Sequence, residues 1–297
     1  MAYQFRRGES VEQGVHRIAC EQIDKAIDEA QNMEDREEAV HQVRKRCKKL
    51  RGLIRLVRPV FDGYAGENAA FRDAARDLSD LRDMTAIIET FDELVEHFAD
   101  EIDDQAMRDV RQSLSRQRGD GFAMTRRIDE RLTRFVEQMH DARRRCEDWK
   151  LKDSDFDAIR GGLTRTYKRG RKAMDAAYDA PTAEAFHEWR KRVKYHWYHL
   201  RLLRRVWRPV TKGYRKQASE LADLLGDDHD LAVLIAMGQT DAEAFGGAMH
   251  AEVVLALARR RRTELEQQAR PLGRKLYCET PKALGRRHEA WWQAWQA

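Results

Sequence analysis

From His41 to Pro59 the chain reads HQVRKRCKKLRGLIRLVRP, and from His187 to Pro209 it reads HEWRKRVKYHWYHLRLLRRVWRP. Wound at 3.6 residues per turn, the first stretch places Val40, Val43, Cys47, Leu50, Ile54 and Val57 on one apolar seam. His41, Arg44, Lys48, Arg51 and Arg55 keep the same three-four spacing and form a second stripe, about 100° around the helix. The second stretch repeats the design. Phe186, Trp189, Val193, Leu200 and Leu203 fall in its seam, and His187, Arg190, Lys194 and Arg201 in its stripe, extended by Arg204. Each stretch is thus an amphipathic helix with a wholly basic flank.

That flank needs a reason. Eight Arg and Lys and no acid lie between His41 and Arg58, and eight with only Glu188 lie between His187 and Arg208. Like charges at i, i+4 repel by a few tenths of a kcal/mol per pair, and solvated helices normally mix signs. Acidic residues abound elsewhere, especially from Glu67 to Asp109, so their absence here points to a polyanionic partner. Arginine offers phosphate a planar, bidentate fork, lysine a compact charge, and histidine a donor that titrates near neutrality. A third basic row, Arg165, Arg169 and Lys172, lies opposite Leu163, Thr166, Tyr167, Gly170 and Met174, and can line the same groove. The equivalent region near His16 and Arg17 is far less basic, so a ligand held between two halves would not sit symmetrically.

Outward from these helices the pattern repeats. A tyrosine follows a glycine in each half, at Tyr64 and Tyr214, and LSDLRD from Leu78 to Asp83 answers LGDDHD from Leu225 to Asp230. Periodicity and turn residues place helices over 10–31, 34–58, 64–100 with a break near Asp83, and 103–149. A second set covers 155–179, 182–208, 213–238 with a break near Asp230, and 249–279, followed by a Trp-rich C-terminal helix. The expected organisation is an all-α chain with a first half over 1–152 and a second over 153–297. No strand-like alternation interrupts it, and five prolines in 297 residues with 36% charged residues suit helices. Cys20, Cys47, Cys146 and Cys278 are scattered without metal-ligand spacing, which fits free thiols in a reducing compartment. With no apolar leader and no run of about 20 apolar residues, the expectation is a cytoplasmic protein that does not enter a membrane.

Other residues have plainer readings. His196 and His199 read as structural, Trp189 as core, and Trp197, which falls in the basic stripe, stays open. Asp80 and Asp83, like Asp227 and Asp230, sit at the expected breaks, where capping is the better reading than metal binding or acid-base chemistry. Neither His41 nor His187 has an acid partner at matched spacing, and no P-loop or metal cluster accompanies them, so the expectation is a binding protein with no catalytic residue, no metal-ligating residue and no cofactor.

The motifs HxxRKRxK at His41 to Lys48 and His187 to Lys194, the pair LSDLRD and LGDDHD, and GLTRTYKRGRKAM from Gly162 to Met174 together resemble the CHAD family, named for conserved histidines in an α-helical domain. The likeness covers almost the whole chain. It implies two antiparallel four-helix bundles related by a pseudo-twofold, enclosing a basic groove or pore that binds inorganic polyphosphate, in proteins associated with polyphosphate granules. On that resemblance the binding residues would be His41, Arg44, Lys48, Arg51 and Arg55 on one rail and His187, Arg190, Lys194 and Arg201 on the other, with Lys45 and Lys191 as neighbours. Two departures stand out: Trp197 replaces the cation expected opposite Arg51, and Arg82 pairs in the repeat with His229. The ExExK signature of the triphosphate tunnel domain, to which some relatives are fused, is absent. The main alternative is a sequence-blind nucleic-acid-binding protein, since a basic groove attracts any linear phosphate polymer. No base-reading motif is present, and no aromatic residue interleaves with the first rail.

Overall fold

The computed structural model describes residues 3–79, 83–117 and 121–297, with the backbone alone at 83 and 121–124. Among the described residues there are α-helices and short 3-10 turns but no strand. In chain order the helices are α1 (Val11–Asn32), α2 (Arg36–Leu56), α3 (Tyr64–Arg76), α4 (Asp83–His97), α5 (Asp104–Arg116), α6 (Gly121–Glu147), α7 (Asp157–Asp179), α8 (Ala183–Leu202), α9 (Arg208–Thr240), α10 (Ala248–Leu276) and α11 (Pro281–Gln296).

Local chemistry sets several of the starts. Ser10 and Gln13 form a reciprocal capping box at α1. The carboxylate of Asp35 accepts from the Glu38 amide at α2, and the hydroxyl of Thr182 accepts from the Ala185 amide at α8. Thr280 caps α11 just before Pro281, whose missing amide hydrogen costs nothing in a first turn.

Two segments differ from the sequence reading. The expected helix over 103–149 is two helices, α5, which closes at its C-cap Gln117, and α6 from Gly121, with 118–120 outside the described residues. Conversely, α9 runs unbroken from Arg208 to Thr240, so Asp227 and Asp230 lie in mid-helix and cap nothing. Cations from α2 and α8, described below, keep Asp230 company, whereas Asp227 has mainly other carboxylates near it and burial raises its pKa. Asp80 and Arg82 lie outside the described residues, as does the side chain of Asp83.

The seams fold as their spacing dictates: Val40, Val43, Cys47, Leu50, Ile54 and Val57 are all buried, as are Phe186, Trp189, Val193, Leu200 and Leu203. They enter one large core shared by α1, α2, α6, α7, α8, α11 and the first part of α9. A smaller core joins Phe91 and Leu94 of α4 and Val110 of α5 to Leu234 of α9 and Val254 of α10. Elements from early and late in the chain therefore share it.

Helix α2 packs on both α7 and α8, and two glycines permit the approach. The Gly52 carbonyl accepts a hydrogen bond from His199 Nε2 at 3.1 Å, and a Cβ on Gly52 would lie 2.9 Å from the Tyr198 Cβ. A Cβ on Gly162 of α7 would lie 1.9 Å from the Leu56 carbonyl oxygen, inside van der Waals contact with backbone that cannot swing away. These crossings fix how the basic flanks of α2, α7 and α8 face one another.

Candidate functional site

The two basic stripes meet across the α2–α8 contact. Lys48 is the meeting point. Its side chain keeps contact with solvent yet has protein on most sides, the condition of a group lining a cleft. Burial, then Arg44 of its own helix and Arg190 and Lys194 of α8, push its ammonium down to about 8, with Asp230 opposing. Four cations from two helices thus bear on one small region.

Two further members of the first stripe, Arg51 and Arg55, are held in place from α3. Arg51 Nε and Arg55 Nη2 donate to the same Asn68 Oδ1, at 3.3 and 3.0 Å. Arg44 Nη1 donates to the Ser79 carbonyl at 3.3 Å, and the Arg55 guanidinium lies 4.1 Å from the centroid of the Tyr195 ring. Arg58, which the sequence reading left out, covers Tyr64 at 4.6 Å. Lys45 is exposed and His41 half-buried.

On α8 the open question about Trp197 resolves. Lys194 Nζ lies 5.4 Å and the Arg201 guanidinium 4.6 Å from its ring centroid, so the half-buried indole packs at the edge of the core and also lies between two cations of the stripe. Lys194 also donates to Asp223 at 3.3 Å. Lys191 is drawn to Glu188 at 2.5 Å. Arg204 lies beyond the helix end, where Leu203 is the C-cap, and its Nε donates to the Gln4 side chain. Burial and then Arg215, Arg201, Arg208 and Arg205 lower its pKa, which places it in an arginine group that takes in the start of α9.

The third row is only partly assembled. Arg165 and Arg169 of α7 converge with Arg55 of α2, with Arg58 just past its end, and with Arg192 and Tyr195 of α8 around a narrow cleft that Gly162 and Thr166 also line. The pKa of Arg169 is lowered by burial and by Arg192, with Arg55 and Arg165 acting in the same direction and Glu188 against them. Lys172 is exposed and lines no part of this cleft. Arg192, itself paired with Glu188, was invisible to the stripe argument because it projects from a different side of α8.

His187 stacks on His229 of α9, with ring centroids 4.1 Å apart and planes inclined by 35°. Burial, then Lys191 and Arg190, lower the pKa of His187. Burial, then His187 and Arg190, push His229 down to about 3. Both rings are therefore neutral near pH 7. The signal for His229 was present in the LGDDHD repeat, where it answers Arg82.

Four polar nitrogens in or beside this strip are buried without a hydrogen-bond partner: Arg55 Nε, Arg190 Nε, Arg215 Nε and His187 Nδ1. Buried polar groups are normally satisfied, and each orphan costs about 1–3 kcal/mol. The strip is not free of acid, because α9 brings Asp223 and Asp230 to its flank. Burial raises the pKa of Asp230, with Arg190, Lys48 and Lys194 lowering it. Beyond Asp230 lies a roomier cavity of about 660 Å³, including open solvent, lined in part by Glu93, Glu96, Asp227 and Asp230. Four carboxylates make that cavity hostile to polyanions. Among the described residues no group of three or more His, Cys, Asp or Glu is placed to hold a metal ion, and no helix is long and apolar enough to cross a membrane.

The family described as CHAD domain matches this chain over residues 17–239, a span that takes in α2, α7, α8 and nearly all of α9. No curated protein matches the chain.

Proposed function

Given that the chain belongs to the CHAD family, whose members are associated with polyphosphate-related proteins, we propose that it binds inorganic polyphosphate along the basic strip of α2 and α8 and does so without catalysing a reaction. The observation that carries this reading is the arrangement at Lys48, where Arg44, Arg190 and Lys194 gather around one lysine despite the cost in mutual repulsion and, after burial, lower its pKa. A chain of phosphates brings one negative charge or more per unit and lifts that repulsion at every contact. The strip would begin at Arg165 and Arg169, pass Arg55, Arg51, Lys48, Lys194 and Arg190, and reach Arg201 and Arg204, with His41, His187, Lys45 and Lys191 along its margins. Association with polyphosphate granules would follow from such binding.

Nucleic acid is the second polyanion to weigh, and the aromatic groups argue against it. Base stacking needs an open ring face, whereas Trp197 is flanked by Lys194 and Arg201, and Tyr195 carries Arg55. The test is a length series, with calorimetric titration of phosphate, tripolyphosphate and polyphosphates of increasing length. Successive contacts on one polymer add avidity until the strip is filled, so affinity should climb steeply and then level off. Equal affinity per phosphate at all lengths would overturn the proposal.

A further inference from the structure

Two cysteines 126 residues apart in sequence meet between α1 and α6, with Cys20 Sγ 3.7 Å from Cys146 Sγ. Both are free thiols; Cys20 is partly exposed and Cys146 buried. The helices that carry them are already packed on each other, so closing the gap to the about 2 Å of a disulfide asks for a rotation of side chains and no rearrangement of the fold. The surroundings divide the labour between the two sulfurs. The Cys146 thiol hydrogen-bonds Cys20 and, with Arg143 behind it, holds Cys20 down to about 7, against burial. The hydrogen bond to Cys20 and burial push Cys146 upward. Arg143 is itself fixed across the helix pair, donating to Asp24 of α1 at 3.1 Å and to Glu147 at 2.9 Å. Neither of the other cysteines has such a setting: Cys47 is sealed in the α2 seam and pushed up to about 12 by burial, and Cys278 is exposed.

We propose that Cys20 and Cys146 are an oxidation site that hydrogen peroxide converts to an intrachain disulfide, with Cys20 reacting first and Cys146 resolving. The Cys20 thiolate attacks one peroxide oxygen. An S–O bond forms, the O–O bond breaks, and the departing hydroxide takes a proton to become water, leaving Cys20 as sulfenic acid. Cys146 then gives up its proton and its sulfur attacks the Cys20 sulfur. The S–S bond forms, the S–O bond breaks, and the hydroxide leaves with that proton as a second water. Two thiols are oxidised by two electrons in total and one peroxide is reduced to two waters. The bridge ties α1 to α6 and closes a loop containing α2, so the oxidised chain resists unfolding more than the reduced one. Because neither sulfur touches the basic strip, anion binding stays as it was.

The experiment treats the full chain with stoichiometric peroxide, counts thiols in denaturant and maps peptides without reductant. The expected result is a loss of two of the four thiols, a Cys20–Cys146 linked peptide pair, and a thermal midpoint that rises by several degrees and returns on reduction. In Cys146→Ser a sulfenic acid should be trapped on Cys20 by a dimedone reagent, and in Cys20→Ser the thiols should react at least tenfold more slowly. A thiol count that stays at four, oxidation of Cys20 to sulfinic acid without the linked peptides, or an oxidised midpoint equal to or below the reduced one overturns the proposal. The wild-type count and map decide it even where a variant fails to fold.

Discussion

Replacing Lys48 with methionine should make the protein more stable and a poorer ligand binder at once. The substitution keeps the length of the side chain and removes its charge. In the folded protein burial and the neighbouring Arg44, Arg190 and Lys194 bring this lysine from 10.5 to about 8. For a group sealed from water that difference would destabilise the fold by about 3 kcal/mol. Lys48 is exposed to solvent, so screening leaves roughly 1 kcal/mol. Lys48→Met should therefore raise the thermal midpoint by about 2 °C. The sign can be checked in the wild type. A lysine with a depressed pKa binds fewer protons when folded than when unfolded between pH 8 and 10.5, so its cost is full below 8 and fades as pH rises through that window. The variant should lack that part of the alkaline gain. Loss of one charged contact of about 1–2 kcal/mol should weaken polyphosphate binding roughly 5- to 30-fold and flatten the log affinity against log salt plot by about one ion. Scanning fluorimetry and calorimetric titration read the two effects. A lower midpoint combined with unchanged affinity would refute both the cleft and its ligand.

Gly162→Ala should lower the thermal midpoint by roughly 5 °C, for about 3 kcal/mol of overpacking, because the new Cβ would press on the Leu56 carbonyl. Gly66→Ala, in α3 and open at the Cβ position, should be neutral or raise it slightly. Acidification should destabilise the chain. Burial holds His196, His199 and His288 well below 6.5, the last two at about 3 and about 4, so the unfolded state takes up protons first as pH falls below 6.5. Burial raises Asp227 to about 6 and Glu266 to about 7, and their protonation opposes the loss, leaving a net of a few kcal/mol between pH 6.5 and 5. A urea midpoint no lower at pH 5 than at pH 7 would contradict this balance.

The helical class, the seams and the basic stripes were all legible in the sequence, because each is a matter of spacing along one helix. The stripes on α2 and α8 are where the periodicity put them, and the chain belongs to the family that their motifs resemble. What one helix cannot tell is what another places beside it. Arg192 and Arg58 lie off the stripes and line the cleft beside them only because α7 docks on α2 and α8. His229 enters through stacking on His187, and Arg215 through the turn after α8 that brings it to Arg204. Lys172 shows the converse: it keeps helical register with Arg169, yet it does not line the cleft that Arg165 and Arg169 line. Asp230, where a break is expected, lies instead within a continuous α9, and Arg190, Lys48 and Lys194 keep its carboxylate in company there.

The central claim is that two basic helices form one polyphosphate-binding strip, and a salt titration tests it most directly. Binding of long-chain polyphosphate and of single-stranded DNA matched in charge would be followed for the wild type and for the double variant Arg44→Glu, Lys194→Glu. Much tighter binding of polyphosphate, with a steep dependence of log affinity on log salt that becomes shallow in the variant, is the predicted result. DNA bound as tightly, or polyphosphate affinity untouched by the two reversals, would contradict it.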